Sequence, residues 1–418
     1  MAPSTHTIPR WHNHVTVSLS TLIAGILPAR TTMLYTVTWL TDFAAFLLIF
    51  SVQRQVAETN SDPLLLGALG AVFSLASAIT NTLGGQGSDR FGKKQVALCG
   101  TIAVLISLVS VVAFSSNRTV LFLAYIMSGA ALGTIYPSLI AWIGQGRTDR
   151  QESLAYLRFC VSWNLGLVCG QWIGGWFFGY WGITGPLYLA MLLTVISCTC
   201  LLLAKETPLE ITDCKTDRKT VSPNQPAQQF ARLAWIANFG GTFSGSILFF
   251  LAPHVIVELE IPAGKHGLML AAGRLVVIAT IFLMHVQPAW KYRFKVSASA
   301  QIIGIVSLIG LWMATSEIVF AVMIALLSVM QGFNYFASLT YSTTASSDSQ
   351  KGAASGWNEA TLAMGLSGGA LFGGLIGRSL GPRTPFLLAA GVIGLLLVVQ
   401  LVLQLVREQA SKRSQQAQ

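Results

Sequence analysis

The chain has 418 residues, 53% of them hydrophobic and only 10% charged, where a soluble globular domain carries roughly 25% charged residues. Apolar composition on that scale excludes a soluble enzyme or binding module and predicts a polytopic, all-α membrane protein. The formal net charge of +10 brings nucleic acid to mind as a partner, but the placement of the basic residues argues against it.

A membrane-crossing helix needs ~20 mostly apolar residues, and backbone groups in lipid must be satisfied within the segment. Read with that window, the chain offers twelve spans. Residues 1–30 precede them as a cytoplasmic arm. Its apolar run 15–27 is too short to cross and reads as interfacial, although a signal segment or a translation start at Met33 are alternative readings. Six spans follow near 31–52, 64–84, 95–114, 119–143, 153–179 and 184–204. Residues 205–230, rich in Thr, Pro, Gln and charge, form a cytoplasmic linker. Six more spans lie near 231–252, 266–285, 296–314, 318–342, 353–377 and 384–406, and 407–418 is a cytoplasmic tail.

With both termini inside, the outer loops hold only Arg54, Arg118, Lys265, Arg378 and Arg383, while most of the 26 Lys and Arg residues fall on the cytoplasmic side. The basic balance is therefore a topology signal. Six cysteines show no disulfide or metal-ligand spacing, and the histidines lie at or beyond span ends. No metal, no cofactor and no catalytic role is expected. Asn117-Arg118-Thr119 forms a glycosylation sequon in an outer loop.

The halves repeat. Gly166, Gly170, Gly174 and Gly175 of span 5 recur 199 residues later as Gly365, Gly369, Gly373 and Gly374 of span 11. Gly133 and Tyr136 recur as Gly332 and Tyr335 at the same offset, and Gly67 recurs as Gly267 at an offset of 200. One small-xxx-small pair is common where membrane helices pack; several at one offset indicate a duplicated six-helix unit, 31–204 and 231–406.

Between spans 2 and 3 runs Gly85-Gln86-Gly87-Ser88-Asp89-Arg90-Phe91-Gly92-Lys93-Lys94. The pattern Gly-x-x-x-Asp-Arg-x-Gly-basic-basic, filled by Gly85, Asp89, Arg90, Gly92, Lys93 and Lys94, resembles the helix 2–3 loop of the major facilitator superfamily (MFS). The resemblance covers about residues 31–406. It implies two pseudo-symmetric six-helix bundles, alternating access around a central site, and a gating role for this loop. In the family the loop acid docks at the start of helix 11, here Gly352–Ala354, where free N–H groups welcome a carboxylate. The sequence also departs from the family. The second loop copy keeps Lys291, Arg293 and Lys295 but lacks the Asp and glycines. Tyr125 stands where many members place an arginine linked to proton movement, and Gln171 where the antiporter motif has proline.

Four charges fall inside spans: Asp42, Arg158, Arg274 and Glu359, on helices 1, 5, 8 and 11. Such residues are costly in lipid and are expected to face a polar interior. Helices 1, 5, 8 and 11 border the central cavity in the family. Asp42, with Glu359 as a second acid, is the candidate for proton coupling, against the alternative of permanent pairing with a base. Arg158 and Arg274 are candidates to hold an anionic substrate group by forked hydrogen bonds. Trp39, Tyr136, Trp163 and Asn164 are candidate cavity-lining residues in the first half. Asn238, Asn334, Tyr335, Trp357 and Asn358 are their counterparts in the second.

The expected function is a secondary transporter, by symport or otherwise, that moves a small polar organic solute across the inner or plasma membrane as a monomer. Its partners would be that solute, protons as an open coupling ion, and the lipid bilayer. A drug or metabolite exporter is the alternative, and a non-transporting sensor or scaffold on the same fold is the alternative of another class.

Overall fold

A computed structural model describes residues 32–59, 62–114, 117–144, 149–204, 225–345 and 351–416. The arm 1–30, most of the linker and the end of the tail lie outside the described residues. So do the side chains of Asp89 and of residues 351–357, Trp357 among them. The described chain is almost entirely helical. α1 is Thr32–Thr59, α2 Pro63–Phe91, α3 Lys93–Phe114, α4 Arg118–Gly144, α5 Asp149–Trp181 and α6 Thr184–Leu203. α7 combines Gln225–Ser246, a π-helical turn Ile247–Leu251, and Ala252–Glu258. α8 is Ala263–Val286, α9 Phe294–Met313, α10 Glu317–Ala345, α11 Lys351–Leu380 and α12 Thr384–Gln416.

Among the described residues, ten helical stretches are long and apolar enough to cross a membrane, and the described parts of α5 and α11 are not among them. These two carry the glycine ladders and two of the intramembrane charges, Arg158 and Glu359. Helix ends follow local chemistry. Asp62 caps α2 through Leu64 N–H, with Pro63 in the first turn, where its missing N–H costs nothing. The sequon residue Asn117 likewise accepts from the N–H groups of Thr119 and Val120 at the start of α4.

The loop between α2 and α3 is shorter than its sequence predicts. α2 runs through Phe91, so Gly85 to Arg90 are helical, and the whole reversal falls on Gly92 at φ +93°. Only Gly92 among the motif glycines needs the freedom of a missing side chain. Arg54 is not in a loop either: it lies in α1, buried, and pairs with Glu58 at 2.6 Å.

Packing repeats as the sequence does. α1 lies against α5 and α6 as α7 lies against α11 and α12; α2 pairs with α4 as α8 pairs with α10. α3 packs on α4 and α6, and α9 on α10 and α12. α3, α6, α9 and α12 display large exposed apolar side chains such as Ile106, Leu192, Val306 and Val402. An apolar belt of this kind needs lipid against it. The two most extensive contacts between the repeats are α2 with α11 and α5 with α8, and α1 and α2 also touch α7.

Candidate functional site

α1 places Asp42 at the centre of the molecule, fully buried. Its Oδ1 accepts a hydrogen bond from Tyr136 Oη of α4, and its Oδ2 has no partner. The backbone makes room for this. Gly166 of α5 lies so near that a Cβ there would meet Asp42 Cβ at 2.6 Å and Trp39 O at 2.7 Å. Trp163 lies next to the carboxyl and leans on Tyr335 of α10, ring centroids 5.8 Å apart. Trp163 thus joins Asp42 in the first repeat to Tyr335 in the second. Tyr335 Oη contacts Cys160 Sγ at 3.8 Å, and Glu359 of α11 is within electrostatic reach of both.

The other candidates divide by role. Asn358 accepts from Ser338 and donates to Glu359 at 3.4 Å, so it positions that acid. Asn334 crosses to the Ala237 carbonyl of α7 at 3.0 Å. Asn164 bonds its own helix at Cys160 O, and the Asn238 amide nitrogen is buried with no partner. Trp39 packs on Phe43. Arg274 caps the Phe249 ring, its guanidinium carbon 4.4 Å from the centroid, a cation–π contact. Arg158 Nε is buried without a partner.

Among the described residues none of the four intramembrane charges pairs with another. Mutual neutralisation of Asp42 by Arg158 is therefore not what the structure shows. One carboxylate oxygen of Asp42 and, elsewhere on α5, Nε of Arg158 are left without a partner.

Of the loop motif, Lys93 Nζ donates to Ala141 O at 3.3 Å, and Lys94 Nζ to Leu202 O and Ala204 O at 2.7 and 2.9 Å. Those carbonyls end α4 and α6, where a cation is favourable. Arg90 lies over the Phe91 ring. The docking of Asp89 on Gly352–Ala354 lies outside the described side chains. Tyr125, which replaces the family arginine, is fully buried and reaches Ile49 O at 3.4 Å. Gln171, in place of proline, is buried with both amide atoms unpartnered, beside His266.

Sequence reasoning missed Phe249 and Cys160. Phe249 sits in the π turn of α7, a backbone irregularity that the sequence gives no sign of. Cys160 was legible: it shares a helical face with Trp163 and Asn164 by spacing.

The family model described as Major Facilitator Superfamily matches residues 34–295 and 234–418. Multidrug resistance protein 2 of Bacillus subtilis (strain 168) is 25% identical over 134 residues, 32% of each chain. The class B tetracycline resistance protein of Escherichia coli is 31% identical over 134 residues, 31% of this chain and 32% of the relative. The chain thus aligns with about a third of the length of these relatives. The crystal structure of nucleoside transporter NupG superposes with a TM-score of 0.68 at 13% identity, covering 90% of this chain and 99% of that one; this likeness concerns the fold.

Proposed function

Since the chain belongs to the major facilitator superfamily and is an integral membrane protein, we propose that it is a secondary transporter of a small polar organic solute. The observation that carries this reading is the buried Asp42–Tyr136 bond, linked through Trp163 to Tyr335 of the opposite repeat. A solute held there would touch both repeats, 31–204 and 231–406, and so sense their relative motion. Asp42 keeps one oxygen without a partner, so the site would offer an acceptor to a polar ligand. Trp39, Trp163 and Tyr335 supply apolar walls between them.

Alternating access would use the seams α2–α11 and α5–α8, with α5 and α11 counted as crossings. Both seams are closed at the end bearing the α1–α2 and α7–α8 turns. That end is the outer one if both termini are cytoplasmic in the inner or plasma membrane. Proton coupling would run through Asp42, with Glu359 second, and Gly85, Asp89, Arg90, Gly92, Lys93 and Lys94 would serve the gate at the opposite end. Membrane-embedded charge without partners is expensive, which a non-transporting scaffold or an enzyme would have no reason to keep.

Efflux of drug-like compounds is the second reading, favoured by the partial likeness to the multidrug and tetracycline resistance proteins. Thermal stabilisation of the purified protein by a panel of sugars, nucleosides, organic anions and lipophilic cations separates the two. A ligand at ~100 times its Kd stabilises by about 2.7 kcal/mol. Polar hits lost in Arg158→Ala or Arg274→Ala support the first reading; hits confined to lipophilic cations overturn it.

A further inference from the structure

The two seams between the repeats occupy equivalent places and are filled with opposite chemistry. In the α2–α11 seam a Cβ on Gly67 would meet Ala370 O at 2.3 Å; in the α5–α8 seam a Cβ on Gly267 would meet Gln171 O at 2.2 Å. Ala370 and Gln171 are therefore counterparts, at the offset of the glycine ladders. Leu66 and His266, the residues before the two glycines, are counterparts as well. Leu66 and Ala370 are fully buried, and Ala370 packs with Ile49, Ala71 and Phe250. Ser367 of α11 donates to Ala71 O of α2 at 3.4 Å. That seam is apolar, and the hydroxyl beside it is bonded.

The α5–α8 seam buries polar groups instead. Gln171 and His266 are 1% and 0% exposed. Both amide atoms of Gln171 and both ring nitrogens of His266 lack a hydrogen-bond partner. With Phe46, Phe50, Phe249 and Leu270 they line a cavity of about 10 Å³, room for a single water at most. The Phe50 ring lies 4.7 Å from the imidazole. One turn further along α1, Arg54 Nη1 is also buried without a partner, while its Nε is held by Glu58. Burying such groups unpaired costs free energy that solvation returns. One water could serve only some of these atoms. An apolar pair fills the same place at no such cost, as Leu66 and Ala370 do in the other seam.

We infer that Gln171 and His266 bias the α5–α8 seam toward opening: the closed seam strands their polar atoms, and separation of α5 from α8 lets water reach them. The α2–α11 seam lacks this bias, so α5 and α8 part more readily than α2 and α11. The inference rests on the reading that the chain alternates access, and it is independent of the solute carried.

The test places a reporter, Ala263→Cys, in this seam, where Ala263 is buried and its carbonyl would meet a Cβ on Gly175 at 2.4 Å. Labelling of the full chain by an impermeant maleimide, above that of the chain without the reporter, is compared with and without Gln171→Leu/His266→Leu. These substitutions roughly conserve volume and are apolar in a largely apolar cavity, so the variant is expected to fold. Labelling should slow roughly five- to 150-fold, and the melting midpoint in detergent should rise. Gln171→Leu and His266→Leu alone should each move both readouts in the same direction. Equal labelling and an equal midpoint in the double variant overturn the inference. So does a double variant that melts lower and labels faster, which would make the pair a water-bridged latch holding the seam shut. A reporter that labels in neither protein would overturn the alternating-access reading itself, and this inference with it.

Discussion

Gly67 of α2 lies against Gly374 of α11 so closely that a Cβ on Gly67 would stand 2.8 Å from the Gly374 Cα. The relationship recurs in the other seam, where a Cβ on Gly175 of α5 would stand 2.9 Å from the Gly267 Cα of α8. Each repeat thus lends its span-2-type glycine to the other's span-5-type glycine. Neither seam can close on a larger residue.

Gly67→Val or Gly175→Val should therefore hold one end of the molecule open. Overpacking costs about 1–3 kcal/mol, which shifts a two-state equilibrium roughly 5- to 150-fold. Solute flux should fall while expression and helicity persist, and a cysteine placed near the seam should label faster. Unchanged labelling with unchanged flux would show that the seams do not move.

Tyr136→Phe removes the hydroxyl that donates to Asp42 Oδ1. A hydrogen bond to a charged group contributes roughly 1.5–3 kcal/mol, so solute affinity or turnover should drop roughly ten- to a hundredfold. Asp42→Asn should abolish uphill accumulation while leaving solute exchange. If accumulation survives in Asp42→Asn, Asp42 is not the coupling group.

Gln301 of α9 and Gln400 of α12 exchange two hydrogen bonds, 3.1 and 2.9 Å, both residues buried. Gln400→Leu strands one amide and should destabilise by about 1–2 kcal/mol. The double variant Gln301→Leu/Gln400→Leu should recover most of the loss, because no polar group is left unpaired. Unfolding midpoints in detergent test this; additive losses would sink the pairing argument.

Gly92→Ala and Gly85→Ala should behave differently although the motif contains both. Gly92 has φ +93° and ψ 140°, a region almost closed to other residues, so Ala there should cost about 1–3 kcal/mol. Gly85 is helical, and its nearest neighbour to a new Cβ is Pro137 at 3.9 Å. Ala should be tolerated at Gly85, measured as stability and flux near wild type.

Sequence alone determined the membrane class, the helical content, the internal repeat and the family. Each of these rests on composition and spacing, which need no partner: lipid forces helices, and a duplicated ladder of glycines survives as a fixed offset. Apolar length fixed the helix positions but not their ends. α1 and α2 run on into polar sequence, because Arg54 meets Glu58 one turn away and the Gly85 to Arg90 stretch keeps its helical hydrogen bonds. Asp42 and Tyr136 were each legible as candidates, since a polar side chain within an apolar span needs a reason. That they bond to each other, that Trp163 carries the link to Tyr335, and that the four charges stay apart was decided only by the packing of α1, α4, α5 and α10. Spacing along one helix says which residues share a face, and only the contact between helices says what that face meets.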